Sequence, residues 1–193
     1  MTDEPAKGTT EVAEPTPAEL SYARRIAEAR ATIPHDYAET EADPAGGIRT
    51  AAVVVACAAA LGEFPRVNGA YRDGRFEVYE RINIAVGTPS GDSLVYPVVR
   101  DADRRDEAQV AEEIRRLDDL VRAGAITNPD LAGATFSLFD PSVHGISRYQ
   151  ATVNRRQAAI LTVGTGSLGL SFDARILQGI VAVRFLARVR DLL

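Results

Sequence analysis

Two histidines, one cysteine and a run near the C-terminus are the places where this chain could do chemistry. Imidazole titrates near neutrality and is the usual general base. His144, in DPSVHGIS, lies on a turn-rich loop and is the candidate catalytic base; the alternative is a solvent-facing loop histidine. His35, at the head of HDYAETEAD, reads as a structural histidine on a strand, with a catalytic role as the alternative. Cys57 lies in an almost wholly apolar run and reads as a small buried hydrophobe. The run LSFDARILQG, Leu170 to Gly179, sets the carboxylate of Asp173 two residues before the guanidinium of Arg175. A neighbouring positive charge favours the ionised carboxyl, so the two read as a scaffold pair rather than an acid–base couple. Tyr96 and Tyr149 are candidate lining side chains.

These residues need a frame. AELSYARRIAEARATI has helical spacing and ends before Pro34. HDYAETEAD alternates weakly, as a strand does. TAAVVVACAAALGEF is apolar nearly all round, which predicts a buried helix with Thr50 as N-cap and a stop near Gly62 and Pro65. RFEVYERINIAVGT and SLVYPVVRDA predict two strands joined by a PSGD turn. RDEAQVAEEIRRLDDLVRAGAI predicts an amphipathic helix, with Val110, Ile114, Leu117 and Val121 as its stripe and Gly124 as its end. ATFSLFD, QATVN, AAILTVGT and LGLSFD predict four short strands, and GIVAVRFLARVRDLL a closing helix. The order predicts an α/β fold, a two-layer sandwich of a mixed β-sheet covered by helices. Residues 1–18, rich in Glu, Thr, Pro and Ala, predict a disordered or extended tail before a domain over 19–193.

Composition excludes several classes. One cysteine rules out an internal disulfide, and no Cys/His cluster has zinc spacing, so no metal is expected. The net charge is −5 with dispersed basic residues, which argues against a nucleic-acid partner. The acidic N-terminus has no apolar secretory core, and the longest apolar run is too short to span a bilayer. A cytoplasmic location without a membrane partner is expected.

Several segments together resemble one family. IPHDYAETEAD, FPRVNGAY, IAVGTPSGDSLVYPVVRDAD, LAGATFSLFD, AAILTVG and LSFDARILQGIVAVRFL follow in order, from about Glu19 to Leu193. They resemble motifs of the catalytic domain of 2-oxo acid dehydrogenase acyltransferases, which share the chloramphenicol acetyltransferase fold. The resemblance implies a homotrimer with its active site in a channel between subunits. Coenzyme A enters from one end and dihydrolipoamide from the other. A histidine in a D-H-R-x-x-D-G motif takes the thiol proton, and the aspartate of that motif supports the site. A serine or threonine of a T-F-T-I-S segment, from the neighbouring subunit, donates to the tetrahedral oxyanion.

In this chain the family histidine falls on Ala174, the aspartate on Gln178 and the serine on Phe139. Alanine accepts no proton, Gln178 hydrogen-bonds without charge, and phenylalanine offers no donor. Ser137, on the same strand face as Phe139, is the substitute donor. Ser137, Phe139, Ala174 and Gln178 are thus the expected substrate-binding residues. Each lost group typically accounts for ~10²–10⁴ in rate. DPAGG stands where the family has a helix, and GTGS where it has a longer hairpin. Both omissions trim the channel, so coenzyme A or another pantetheine thioester, the cofactor implied, is expected to be held differently. Arg155 and Arg156 replace a family Pro-Pro or Ala-Pro. Neither a lipoyl nor a subunit-binding domain precedes the core, so the chain is not expected to serve alone as a conventional complex core subunit.

Three functions fit. The first is a repurposed biosynthetic enzyme that promotes cyclisation, elimination or isomerisation of a hydrophobic or acyl-derived small molecule in the intersubunit channel. The second is a non-catalytic pseudo-acyltransferase, a scaffold or regulator. The third is a coenzyme A-dependent acyltransferase with its base relocated to His144. The first is expected, because the channel-lining sequence is kept and no docking module is evident. An antibiotic-modifying acetyltransferase would need the same missing histidine.

Overall fold

The computed structural model describes residues 10–42, 44 and 47–193. Most of DPAGG and the start of the expected tail lie outside the described residues. Helix α1 (Pro17–Thr32) opens with a capping box, in which Thr16 Oγ1 accepts from Glu19 N and the Glu19 carboxylate accepts from Thr16 N. Strand β1 (His35–Glu41) follows. Helix α2 (Thr50–Glu63) buries Val53, Val54, Cys57 and Leu61. Its N-cap is Arg49, not Thr50. The Thr50 hydroxyl donates instead to Asp140 Oδ2 at 2.6 Å, so a tertiary partner has claimed the group expected to cap.

The two long strands expected next are each broken. β3 (Arg75–Val78) pairs with β2 (Gly69–Arg72), which is not among the expected strands. Asp73 and Gly74 join them with φ of 49° and 80°, a tight-turn conformation that Asp-Gly suits. Between β3 and β4 (Ile84–Val86), Asn68 Nδ2 donates to the carbonyls of Tyr79 and Arg81, so a side chain replaces the ladder. β5 (Thr88–Ser90) and β6 (Ser93–Val95) close at the PSGD turn. Pro97, which has no N–H, separates β6 from β7 (Val98–Val99).

Helix α3 (Glu107–Arg122) buries Val110, Leu117 and Val121 on its predicted stripe. After short α4 (Asn128–Leu131) come β8 (Phe136–Phe139), β9 (Ala159–Gly164), β10 (Ser167–Asp173) and α5 (Gly179–Asp191). One six-stranded mixed sheet runs β1-β10-β9-β8-β4-β7. β8 lies parallel to both neighbours and the other pairs are antiparallel. Alternation sends Phe136, Leu138, Leu161, Leu170 and Phe172 into the main core with α2 and α5. Ile160 faces the other way, against Ala29 and Ile33 from α1 and its end, and Ala151 and Val153.

QATVN is therefore not a strand. It crosses the second face of the sheet. Its alternation is real, but it records burial of Ala151 and Val153 on that face rather than pairing at an edge.

Phe185 of α5 is fully buried and meets the Phe136 and Phe64 rings edge-on, at 5.8 and 6.0 Å. Phe185→Ala should destabilise the domain by about 3–5 kcal/mol. Urea unfolding would show this as a lower midpoint at unchanged slope. An unmoved midpoint would mean that α5 does not seal the core.

Candidate functional site

β10 ends on Asp173, which is 1% exposed. Arg175 meets its carboxylate with Nη2 at 2.7 Å from Oδ2 and with Nε and its own backbone N at 2.9 and 3.0 Å from Oδ1. This pairing raises the guanidinium pKa above its ordinary value. The same guanidinium lies over the Tyr71 ring at 4.5 Å. The backbone then winds on Asp173: its carbonyl accepts from Ile176 N and Leu177 N, while Ala174 N donates to Pro34 O. Gln178 arrives as N-cap of α5, without a side-chain cap bond. Ala174 and Gln178 are both exposed.

The second group lies at the far end of β8. Ser137 is buried, and its hydroxyl donates to Gln157 Oε1 at 2.8 Å and accepts from Asn154 Nδ2 at 2.9 Å. Its proton is committed within the chain. Phe139 meets the Tyr149 ring edge-on at 5.3 Å. Gly87 lies beneath them, where a Cβ would collide with Phe139 and crowd Tyr96. Tyr96 and Tyr149 thus both turn toward Phe139, and burial pushes the Tyr96 hydroxyl above the usual phenol range. His144 ends a 3-10 turn, Pro141–His144, that Asp140 caps through Ser142 N. It is exposed, and it borders a crevice of about 420 Å³ together with Phe139.

Within one chain the two groups stay apart. Phe139 is level with Thr162 and Gly169, four residues along β10 from Asp173 and two strands across. That separation is roughly 16 Å from strand rise and spacing.

Residues 9–193 match the sequence model of the family described as 2-oxoacid dehydrogenases acyltransferase (catalytic domain). The chain belongs to that family. It is 33% identical to the lipoamide acyltransferase component of the branched-chain alpha-keto acid dehydrogenase complex of Bacillus subtilis, over 72% of this chain and 37% of that protein. It is 38% identical to the dihydrolipoyllysine-residue succinyltransferase component of the 2-oxoglutarate dehydrogenase complex of Bartonella vinsonii, over 68% of this chain and 36% of that one. The chain spans less than half the length of these curated relatives. Among solved structures, a probable dihydrolipoamide acetyltransferase from Listeria monocytogenes superposes with a TM-score of 0.91 at 26% identity, covering 97% of this chain and 95% of that one. A chloramphenicol acetyltransferase shares the fold, with a TM-score of 0.54 at 14% identity over 88% and 94% of the two chains.

The remaining candidates in this acyltransferase-family domain are held by structural contacts or burial. His35 Nδ1 lies 2.8 Å from the Ile33 carbonyl, and Nε2 accepts from Val153 N at 2.9 Å. A carbonyl only accepts and an N–H only donates, so the neutral ring carries its proton on Nδ1. Cys57 is fully buried, and burial raises its thiol well above the usual range. Arg155 pairs with Glu28 of α1 at 2.6 Å, and Arg156 has φ of 64°, which proline cannot adopt. The sequence gives no sign of the Asn154–Gln157 pair around Ser137, because that contact depends on a turn at Arg156. Among the described residues no cluster of His, Cys, Asp or Glu could hold a metal, and no helix is long and apolar enough to cross a membrane.

Two outcomes follow. Burial lowers the His35 pKa below 6.5, so the folded state binds its proton less readily than the unfolded chain. The resulting stability is full above pH ~6.5 and is lost as pH falls through the lowered pKa. Urea midpoints at pH 7.5 and 5 should show this drop, and His35→Asn should shrink it; an equal drop in the variant would exonerate His35. Arg175→Ala strands the Asp173 carboxylate and should destabilise by roughly 3 kcal/mol, measured by the same unfolding curves; an unchanged midpoint would remove the pair from the scaffold.

Proposed function

We propose that this acyltransferase-family domain is a repurposed biosynthetic catalyst. It promotes cyclisation, elimination or isomerisation of a hydrophobic or acyl-derived small molecule, in a channel between subunits of a homotrimer. The observation that carries the reading is the motif turn itself. Asp173 and Arg175 keep the scaffold, yet the residue between them, Ala174, is exposed and has no proton acceptor. Phe139, at the position of the oxyanion donor, offers a ring packed on Tyr149 instead of a hydroxyl. Such a site retains shape and positioning, which favour unimolecular rearrangements over thiol acylation.

The separation of Ala174 from Phe139 supports the trimer: a site using both requires a second copy. The relatives are named for lipoamide or dihydrolipoyllysine acyl transfer. A pantetheine thioester, coenzyme A included, is therefore the carrier such a channel would accept for an acyl-derived substrate. A cytoplasmic location belongs to the same reading. One observation favours a second reading: His144 shares a crevice with Phe139, as a relocated base for coenzyme A-dependent acyl transfer would.

Size-exclusion chromatography with light scattering should give a trimer; a clean monomer would sink the intersubunit site. Acetyl transfer from acetyl-CoA to dihydrolipoamide should stay at background in the wild-type chain. Restoring both groups, as Ala174→His with Phe139→Ser, should raise it at least about tenfold. Robust wild-type turnover lost on His144→Ala would replace the first reading by the second.

A further inference from the structure

Four elements meet around the crevice beside Phe139. β4 ends at Val86 and β8 at Phe139, and the two run parallel. α2 begins at Thr50, and α3 passes alongside with Ile114 and Asp118. In α/β sheets, ligands settle outside the carboxyl ends of parallel strands, where connections diverge and leave a gap. A volume of about 420 Å³ suits a small organic molecule.

The lining is mostly apolar, with Val86, Ile114, Phe139 and Val143. Its polar groups differ in how far they are satisfied. Both oxygens of Asp140 are engaged: Oδ2 takes the Thr50 hydroxyl, and Oδ1 takes Ser142 N and the Ser142 hydroxyl. Asp118 is only half engaged. Its Oδ1 accepts from the Thr88 hydroxyl at 2.9 Å, and among the described residues Oδ2 has no partner. Arg122 is drawn back to Asp119 at 2.8 Å. The crevice thus carries two carboxylates, one guanidinium that is already paired, the His144 imidazole and the start of α2. The free Asp118 oxygen only accepts, so it selects a donor, and an ammonium gives it a charge-assisted bond.

We propose that this crevice binds a small organic ammonium, a protonated amine with an apolar or aromatic body. The ammonium donates to Asp118, and the body lies against Phe139 between Val86 and Ile114. The site shares Phe139 with the channel reading, but it needs neither Ala174 nor a second subunit.

Benzylammonium is a suitable probe, titrated calorimetrically into the full chain at neutral pH and low salt. One saturable site per chain is expected, with benzyl alcohol and benzoate at least about tenfold weaker. Asp118→Asn should weaken benzylammonium about tenfold. Val143→Lys, at an exposed rim position, should do the same by adding a positive charge without disturbing the core. Thermal melts confirm that each variant is folded. Equal binding of benzoate or benzyl alcohol would overturn the proposal, and so would unchanged affinity in folded Asp118→Asn or in Val143→Lys. No readout involves turnover or trimer formation, so a failure here leaves the channel reading standing.

Discussion

A carboxylate that is almost wholly buried needs a partner, because desolvation penalises an unpaired charge severely. Asp173 imposes that constraint on this domain. Arg175 answers it from two residues away, and several elements converge there. β10 lies between β1 and β9, its last N–H reaches the Ala158 carbonyl, and α5 starts from the turn wound on the Asp173 carbonyl. By lying over Tyr71, the guanidinium also ties the β2–β3 hairpin to the sheet. The residue between the pair contributes only a backbone N–H, to Pro34. Its side chain takes no part in holding the pair together.

The sheet has two faces with different chemistry. One is a continuous apolar layer under α2 and α5. The other carries Ser137, Thr162 and Asp173, each with named hydrogen-bond partners. Two glycines leave room for close neighbours on this face. A Cβ at Gly164 would collide with the Ser147 backbone, and one at Gly169 with Tyr37 and Thr162. Thr162 Oγ1 then donates to the Tyr149 carbonyl at 2.8 Å, which helps place the Tyr149 ring against Phe139. The surface at Phe139 is thus built on the same face of the sheet that supports the motif turn.

The architecture was legible where periodicity and burial agree, as in α3, α5 and the strands β8 to β10. It was misread where side chains stand in for backbone. Asn68 takes over the carbonyls between β3 and β4, and Val153 N–H goes to an imidazole rather than to a strand. Neither substitution leaves a periodic trace. The Asp73-Gly74 pair was a visible turn signal for the β2–β3 hairpin. At the candidate site, positions 139, 174 and 178 were singled out by resemblance alone. The crevice beside His144 was not, because Thr50, Asp118 and Phe139 come together only through the packing of three separate elements.

The short connection between β9 and β10 also bears on how the chain assembles. Gly164 pairs with Ser167 across Thr165 and Gly166, so these strands can zip from a turn with almost no loop to close. β1 must instead find β10 from the other end of the sequence, His35 opposite Asp173. Loop-closure entropy makes the first pairing local and quick and the second long-range and late. Until β1 docks, the open side of β10 is an unpaired edge carrying Leu168, Leu170 and Phe172, the kind of surface on which one nascent chain can recruit another.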